Sequence, residues 1–225
     1  MRDGVGSLVA VVLFDGFELL DAFGPLELFG ALPDRFTIAL VGPDTGPVRS
    51  AQGPRVLVDH GYESAPVPDI VLVPGGIGTR RLVDRQPFLT WLRAWAAQAA
   101  LVASVCTGSG LLAAAGLLDG YRATSNKRVF SWAVQQGPHV EWEPQARWVE
   151  DRDRWTSSGI AAGLDMAVAL IASLHGEDVA ADVAARLELE PHRDPAWDPF
   201  AALNGLVPPA PHRGPGAPSS ADGRQ

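Results

Sequence analysis

Runs of apolar residues alternate along the chain with segments whose apolar residues recur at helical spacing. Continuous apolar runs are typical of strands buried on both faces of a parallel sheet, whereas repeats every three or four residues are typical of helices. The clearest predicted strands are 8–14, 36–41, 70–73, 101–105 and 155–158, and the clearest predicted helices are 87–99, 160–175 and 177–187. Strands that alternate with helices predict an α/β fold with a parallel sheet and helices on both of its faces.

Two segments depart from this regular pattern. Residues 42–59 are interrupted by Gly and Pro and predict a small β-hairpin beside the main sheet. Between 18 and 32 the pattern is helical, but Gly24-Pro25 predicts a break between two short helices. Asp21 would then lie beside this break, near the carboxyl edge of the sheet, where ligands bind in open parallel sheets.

The segment 101–112 is the part of the chain in which reactive chemistry is most strongly indicated. Its apolar run ends at Cys106, small residues follow, and a Leu/Ala-rich helical stretch runs through Ala115. A strand that feeds a helix through a tight turn exposes the turn residue, and the N–H groups of the helix start are expected to lower the pKa of a thiol there.

A lone cysteine is more often a small buried apolar residue than a nucleophile. The neighbouring run 70–73 favours the reactive interpretation, because it ends in Pro74-Gly75-Gly76. The backbone N–H groups of the two glycines could supply an oxyanion hole at the same edge of the sheet as the thiol.

Composition limits the partners and the compartment. A chain of 225 residues suffices for one domain, predicted over 1–206, and the Pro/Gly/Ser/Ala-rich stretch 207–225 is predicted to be a disordered tail. The net charge of −8 argues against a nucleic-acid partner, and one cysteine excludes an intrachain disulfide. Without a leader-like start or an apolar run of about 20 residues, we expect a cytoplasmic protein with no membrane partner.

Three motifs together resemble the ThiJ/PfpI family, over about residues 8–200. They are Leu-Asp-Ala-Phe-Gly-Pro at 20–25, Val-Pro-Gly-Gly at 73–76 and Ser-Val-Cys-Thr-Gly at 104–108. The resemblance implies the class I glutamine amidotransferase-like fold, a flavodoxin-like three-layer α/β/α sandwich with a parallel sheet and a nucleophile elbow. The Cys-Thr-Gly elbow combined with Leu-Asp-x-x-Gly-Pro is similar to the isonitrile hydratase branch, whereas the protease-like branch has His after the cysteine.

This branch implies a set of site residues and a reaction. Its catalytic Cys, Thr and Asp correspond to Cys106, Thr107 and Asp21. Asp21 is expected to be protonated near a thiolate, because two adjacent negative charges repel, and so to act as a proton source. The N–H groups of Gly75 and Gly76 would bind developing negative charge, and the loop at Ser158 is expected to open near the pocket. The implied reaction adds water to an isonitrile, a small-molecule substrate, with no metal and no organic cofactor.

One departure from the family keeps other functions open. Many relatives carry Thr-Thr-His-Trp where this chain has Thr-Ser-Asn-Lys at 124–127, so the histidine that serves the cysteine of related hydrolases is missing. This weakens a Cys-His-acid hydrolase interpretation. The alternatives are a glyoxalase III-like activity on 2-oxoaldehydes, a peroxide-sensing or protective thiol protein, and the ligand-sensing domain of a transcription factor. The last fits poorly, because nothing resembling a helix-turn-helix follows residue 200.

Assembly is the remaining expectation. Relatives are commonly dimers, and the proline-framed stretch 195–200 contains the large aromatics Trp197 and Phe200. Exposed on a monomer they would form an apolar surface, so we predict that a second subunit or the edge of the domain covers them. A homodimer is therefore expected.

Overall fold

The computed structural model of the chain describes residues 6–208. The strands are β1 (Ser7–Val12), β2 (Phe36–Gly42), β3 (Pro47–Arg49), β4 (Arg55–Leu57), β5 (His60–Gly61), β6 (Ile70–Val73), β7 (Leu101–Val105), β8 (Arg122–Ala123), β9 (Glu141–Trp142), β10 (Trp148–Asp151) and β11 (Arg154–Ser157). The helices are α1 (Leu19–Gly30), α2 (Thr79–Leu82), α3 (Gln86–Ala96), α4 (Gly108–Ala114), α5 (Phe130–Gln136), α6 (Ala162–His175), α7 (Glu177–Arg186) and α8 (Pro199–Leu203), with short 3-10 helices at Tyr62–Ser64 and Lys127–Val129.

Seven strands form the main sheet, in the order β10-β11-β7-β6-β1-β2-β5. All neighbouring pairs are parallel except β10 and β11, which form an antiparallel pair at one edge. The apolar runs predicted as core strands are buried in it, and β6 is buried along its whole length. Val73 pairs with Ser104, so the loops that follow β6 and β7 leave the sheet side by side.

The helices pack in two groups that flank the sheet. Helix α6 contacts α1 and α7, while α4 contacts α2, α3 and α5. The predicted α/β sandwich with a mostly parallel sheet is therefore confirmed. Within residues 6–208, no helix combines the length and the apolar character that crossing a bilayer requires.

The predicted helix break at Gly24-Pro25 is wrong. Helix α1 runs without interruption through Pro25, which lies inside it. Proline removes the N–H that would bond the carbonyl of Asp21, four residues earlier, and its ring crowds that carbonyl. Burial of Ala22, Leu26 and other apolar residues of α1 against the core offsets this cost.

The short elements outside the main sheet agree with the sequence predictions only in part. The hairpin predicted within 42–59 is confirmed as the antiparallel pair β3–β4, which stands apart from the main sheet. Strands β8 and β9 form a separate parallel pair outside the main sheet, and neither they nor α8 are among the clearest elements that the sequence predicts. The predicted tail lies outside the described residues from position 209 onward.

A buried ionic cluster of Lys127, Arg147, Asp165 and Asp198 fastens the C-terminal segment to the domain. The Arg147 guanidinium lies 2.6 Å from Asp165 Oδ2 and 3.8 Å from Asp198 Oδ2, and Asp165 Oδ1 accepts the N–H of His192 at 2.8 Å. Asp198 caps the start of α8 by accepting the N–H of Phe200. Burial lowers the pKa of Lys127 to about 8. Charged side chains at this depth require such partners.

Candidate active site

Cys106 occupies the turn between β7 and α4 in a strained conformation. Its φ is 58°, a left-handed value that residues other than glycine rarely adopt. The backbone is held on both sides of this turn: the Cys106 N–H donates to the carbonyl of Ser158 at 3.1 Å, and its carbonyl accepts the hydroxyls of Ser109 and Ser125. The predicted nucleophile elbow is therefore present as a local geometry.

Two glycines allow the elbow to approach the neighbouring strand. A side chain on Gly108 would collide with the carbonyl oxygen of Val73, and a Cβ on Gly75 would lie 2.6 Å from the Thr107 nitrogen and 2.8 Å from Asp21 Oδ2. Such distances are far below van der Waals contact. The three motifs that carry the family resemblance therefore meet at one place, at the ends of β6 and β7.

Asp21 brings an almost unpaired carboxyl group into this place. The residue is fully buried, and its Oδ2 accepts the N–H of Gly75 at 2.9 Å, whereas Oδ1 has no hydrogen-bond partner among residues 6–208. Burial raises the pKa of Asp21 from 3.8 to about 7, and the Gly75 amide opposes the shift. An appreciable protonated fraction at neutral pH agrees with the expectation that Asp21 can hold a proton.

The thiol pKa differs from the sequence expectation. Burial raises the pKa of Cys106 to about 12, with the Asp21 carboxylate as the second cause. Donors act in the opposite direction: the side-chain amide of Asn126, whose Nδ2 lies 3.1 Å from Sγ, and the N–H groups of Thr107 and Ile160. The prediction of a low thiol pKa at the helix start is therefore wrong, because these donors do not offset desolvation beside a carboxylate. The thiol therefore keeps its proton at neutral pH, and the Asp21 carboxyl is divided between its protonated and ionised forms.

The backbone N–H groups expected to form an oxyanion hole are already engaged. That of Gly75 donates to Asp21, and that of Gly76 donates to Thr107 Oγ1 at 3.0 Å. Thr79 Oγ1 lies 3.3 Å from the same Thr107 oxygen. The expectation that the Gly75 and Gly76 amides point freely at a ligand is wrong; they orient the Asp21 carboxyl and the Thr107 hydroxyl instead. The role of Thr107 in orienting water or ligand stays a prediction.

Ser158 lies beside a cavity of about 390 Å³. Polar or charged and apolar residues line the cavity in about equal number: Asn126, Lys127, Arg128, Ser158 and Asn204, and Gly159, Ile160, Ala161, Phe200 and Leu203. Ser158 is buried, and its carbonyl holds the elbow backbone. A direct contact of Ser158 with a ligand stays a prediction.

Asn126 is the site residue that sequence reasoning missed. It occupies the stretch where relatives carry histidine, and its side chain donates to the thiol sulfur while Oδ1 caps the following turn by accepting the N–H of Arg128. The aligned position was the available signal, since an amide can bond sulfur where an imidazole does so elsewhere. No three His, Cys, Asp or Glu side chains of the described range come together as a metal-binding group.

The aromatic residues expected at an interface are only partly covered. Trp197 is half-buried, whereas Phe200 on α8 is 52% exposed and Leu203 is 78% exposed. Both lie at the wall of the cavity beside Asn126. The homodimer remains a prediction.

The sequence profile of the DJ-1/PfpI family matches residues 7–173, and the chain belongs to that family. Among its relatives, the isonitrile hydratase of Pseudomonas putida is 39% identical over 81% of this chain and 78% of its own. The HTH-type transcriptional regulator GbdR of Pseudomonas aeruginosa is 34% identical over 78% of this chain but only 48% of the regulator. Among solved structures, a ThiJ/PfpI family protein from Pseudomonas syringae superposes with a TM-score of 0.74 at 30% identity, covering 83% of this chain and 76% of that one.

Proposed function

We propose that this protein is an isonitrile hydratase-like lyase that adds water to an isonitrile and releases an N-substituted formamide. The observation that carries the proposal is the pairing of an elbow cysteine, Cys106, with the buried carboxyl of Asp21. Similarity to the Pseudomonas putida isonitrile hydratase supports it. No step requires a metal or an organic cofactor.

In the first step, sulfur attacks the terminal carbon of the isonitrile. The thiol proton passes to the Asp21 carboxylate as the sulfur electron pair forms the S–C bond, and Asp21 then delivers this proton to the same carbon. The product is a thioimidate on Cys106. The raised pKa values of both groups support this order, because the thiol keeps its proton at neutral pH and an ionised Asp21 carboxylate can take that proton as sulfur becomes bonded.

In the second step, water attacks the thioimidate carbon. Asp21 accepts a proton from that water and passes it to the nitrogen, which gives a tetrahedral adduct with a hydroxyl and an amine on the former isonitrile carbon and leaves Asp21 as the carboxylate. The C–S bond then breaks, its electron pair returns to sulfur, and the hydroxyl proton restores the thiol as the formamide leaves. The Gly76 N–H donates to the Thr107 hydroxyl oxygen and so fixes the hydroxyl, which can then orient the attacking water.

The test is formation of N-cyclohexylformamide from cyclohexyl isocyanide, followed by chromatography and mass spectrometry. We expect turnover by the purified protein and none by Cys106→Ala, with Glu27→Gln, an exposed change on α1, as the matched control. Parallel incubations with methylglyoxal and with hydrogen peroxide test the two alternative thiol functions. If the isonitrile is not hydrated, and either methylglyoxal is turned over or Cys106 is oxidised by peroxide, the hydratase assignment is rejected.

A further inference from the structure

Arg80 is a cation of the site that the proposed mechanism does not use. It lies on α2, directly after Thr79, whose hydroxyl oxygen is 3.3 Å from that of Thr107. Arg80 Nη1 lies 3.4 Å from Thr79 Oγ1, a long contact that leaves its donors largely free. A short chain of side-chain contacts therefore links the guanidinium to the residue next to Cys106.

An aromatic ring fixes the direction of this guanidinium. Arg80 Cζ lies 3.3 Å from the centroid of the Trp132 ring. The ring itself lies over the elbow helix, since a Cβ on Gly110 would be 2.6 Å from Trp132 Cζ3. A guanidinium stacked at this distance keeps its face on the indole, so its in-plane N–H groups point along the ring and remain available to a planar anion.

Arg80 lacks the acidic partner that the other partly buried arginines have. Arg147 and Arg154, whose side chains are each 11% exposed, pair with Asp165 and Asp153 at 2.6 and 2.7 Å. Over residues 6–208, no carboxylate oxygen lies within 4.0 Å of the Arg80 guanidinium. Desolvation lowers the pKa of Arg80, and the Cys106 charge acts on it in the opposite sense, as expected for two groups within electrostatic range.

Charge balance decides what this cation can bind. Where the Asp21 carboxyl is ionised, as in part of the population at neutral pH, the buried space beside Cys106 carries a negative charge. A ligand with its own anionic group would be repelled there unless a cation receives it, and Arg80 supplies one positive charge in a forked, planar arrangement. A carboxylate matches that charge and that shape.

We propose that Arg80 binds the carboxylate of an anionic substrate whose electrophilic carbon is attacked by Cys106. The site would then select isonitriles, or other electrophiles, that carry a carboxylate over neutral ones. The inference rests on the proposed function only in taking Cys106 as the nucleophile.

The test uses two pairs of alkylating reagents that differ only in charge: iodoacetate with iodoacetamide, and 3-bromopropionate with 3-bromopropanamide. In each reaction a sulfur–carbon bond forms, the halide leaves with its electron pair, and the thiol proton goes to the buffer. Cys106 is the only cysteine in the chain, so intact-mass spectrometry reports one site. The acid-to-amide rate ratio is measured for the full-length protein and divided by the same ratio for N-acetylcysteine.

We expect this normalised ratio to exceed about 10 for at least one reagent pair, in line with the strength of a charge-assisted bidentate contact. Arg80→Gln should return it to near 1 while changing the amide rate by less than about 3-fold, and Arg80→Lys should lie between because it keeps charge without the fork. Arg81→Gln is the matched control, since Arg81 is exposed and bonds the Asp15 carbonyl. A ratio near 1 in the unmodified protein, or an equal fall for acid and amide in Arg80→Gln, would overturn the proposal.

A second arm separates this inference from the proposed function. Hydration of 3-isocyanopropanoate and of cyclohexyl isocyanide is compared in the protein and in Arg80→Gln, and a selective loss with the carboxylate substrate supports both ideas. If neither isonitrile is hydrated, the hydratase assignment fails, while the alkylation ratio still decides whether Arg80 binds a carboxylate.

Discussion

Two buried carboxyl groups in this protein, those of Asp165 and Asp21, have opposite surroundings. Asp165 contacts the Arg147 guanidinium at 2.6 Å with one oxygen and accepts the His192 N–H with the other. Asp21 is buried at least as deeply, yet no cation of residues 6–208 pairs with it: the Gly75 amide donates to its Oδ2, and the Cys106 thiol is the other hydrogen-bonding neighbour. The Asp165 carboxylate therefore has a cation partner, whereas the Asp21 carboxyl has none among residues 6–208.

The two surroundings suit two different roles for a buried carboxyl group, one in stability and one in proton transfer. A buried carboxylate with a guanidinium partner remains ionised and fastens elements together, here the C-terminal segment that ends in α8. A buried carboxyl without such a partner has a raised pKa and can exchange a proton near neutral pH, at a cost in stability. The comparison predicts that changes in the ionic cluster lower stability and spare reactivity, whereas changes at Asp21 do the reverse.

Arg147→Met should have the largest effect on stability. It leaves Asp165 buried without its cation and Asp198 with Lys127 alone, which is expected to lower the free energy of unfolding by about 3–5 kcal/mol. Urea denaturation measures this, with Arg122→Met as the control, since the Arg122–Glu143 pair is 50% and 42% exposed and should contribute less than about 1 kcal/mol. The iodoacetamide rate of the folded variant should match the unmodified protein; a marked loss of thiol reactivity would show that the cluster also serves the site.

Asp21→Asn should have the largest effect on activity. It preserves size but removes the acid, so isonitrile hydration should fall by about 10²–10⁴-fold. Alkylation of Cys106 by iodoacetamide at pH 8 should become faster, because the Asp21 charge that raises the thiol pKa is gone. Hydration at the unmodified rate would exclude the proton-transfer role. Parallel loss of hydration and alkylation would indicate damage to the thiol environment rather than loss of an acid.

The same variant should change the pH dependence of stability. The folded pKa of Asp21, about 7, lies above its usual value of 3.8, so the folded state binds this proton more tightly than the unfolded state does. Its contribution to stability is full below about pH 4 and is lost as the pH rises towards 7, a difference on the order of a few kcal/mol. Asp21→Asn should therefore gain stability relative to the unmodified protein between pH 4 and pH 8, measured by urea unfolding at several pH values. A pH-independent difference would contradict the raised pKa.

The reactive region was the more predictable of the two, because its parts follow strand ends. Cys106 and Gly75 come just after the apolar runs 101–105 and 70–73, and parallel strands bring such positions to one edge. The ionic cluster had no comparable signal, since Arg147, Asp165 and Asp198 are far apart in sequence and meet only through loop packing.

The properties that the sequence did not predict are each the sum of several contributions from the folded chain, and no local sequence pattern contains that sum. The thiol pKa is a sum of desolvation, a neighbouring charge and several donors, and the helix start was only one of these. The continuity of α1 through Pro25 is likewise decided by burial of the whole helix rather than by one missing N–H. Asn126 and Arg80 contribute to the site from loops and a short helix, whose placement requires the assembled fold.

The smallest predicted effect concerns Asn126, whose side-chain amide donates to the thiol sulfur. Its Nδ2 lies 3.1 Å from the sulfur, and a donor to sulfur favours the thiolate. Asn126→Ala should slow alkylation by iodoacetamide at pH 8 by about 3- to 10-fold, the equivalent of one hydrogen bond of roughly 1 kcal/mol. Asn204→Ala, a change in an exposed residue of the same cavity wall, should leave the rate unchanged. Asn126→Asp retains an acceptor for the Arg128 N–H but brings a negative charge to the sulfur, so it should be at least as slow as alanine. If Asn126→Ala reacts as fast as the unmodified protein, the donor is dispensable, and thiol reactivity depends on Asp21 and the backbone amides alone.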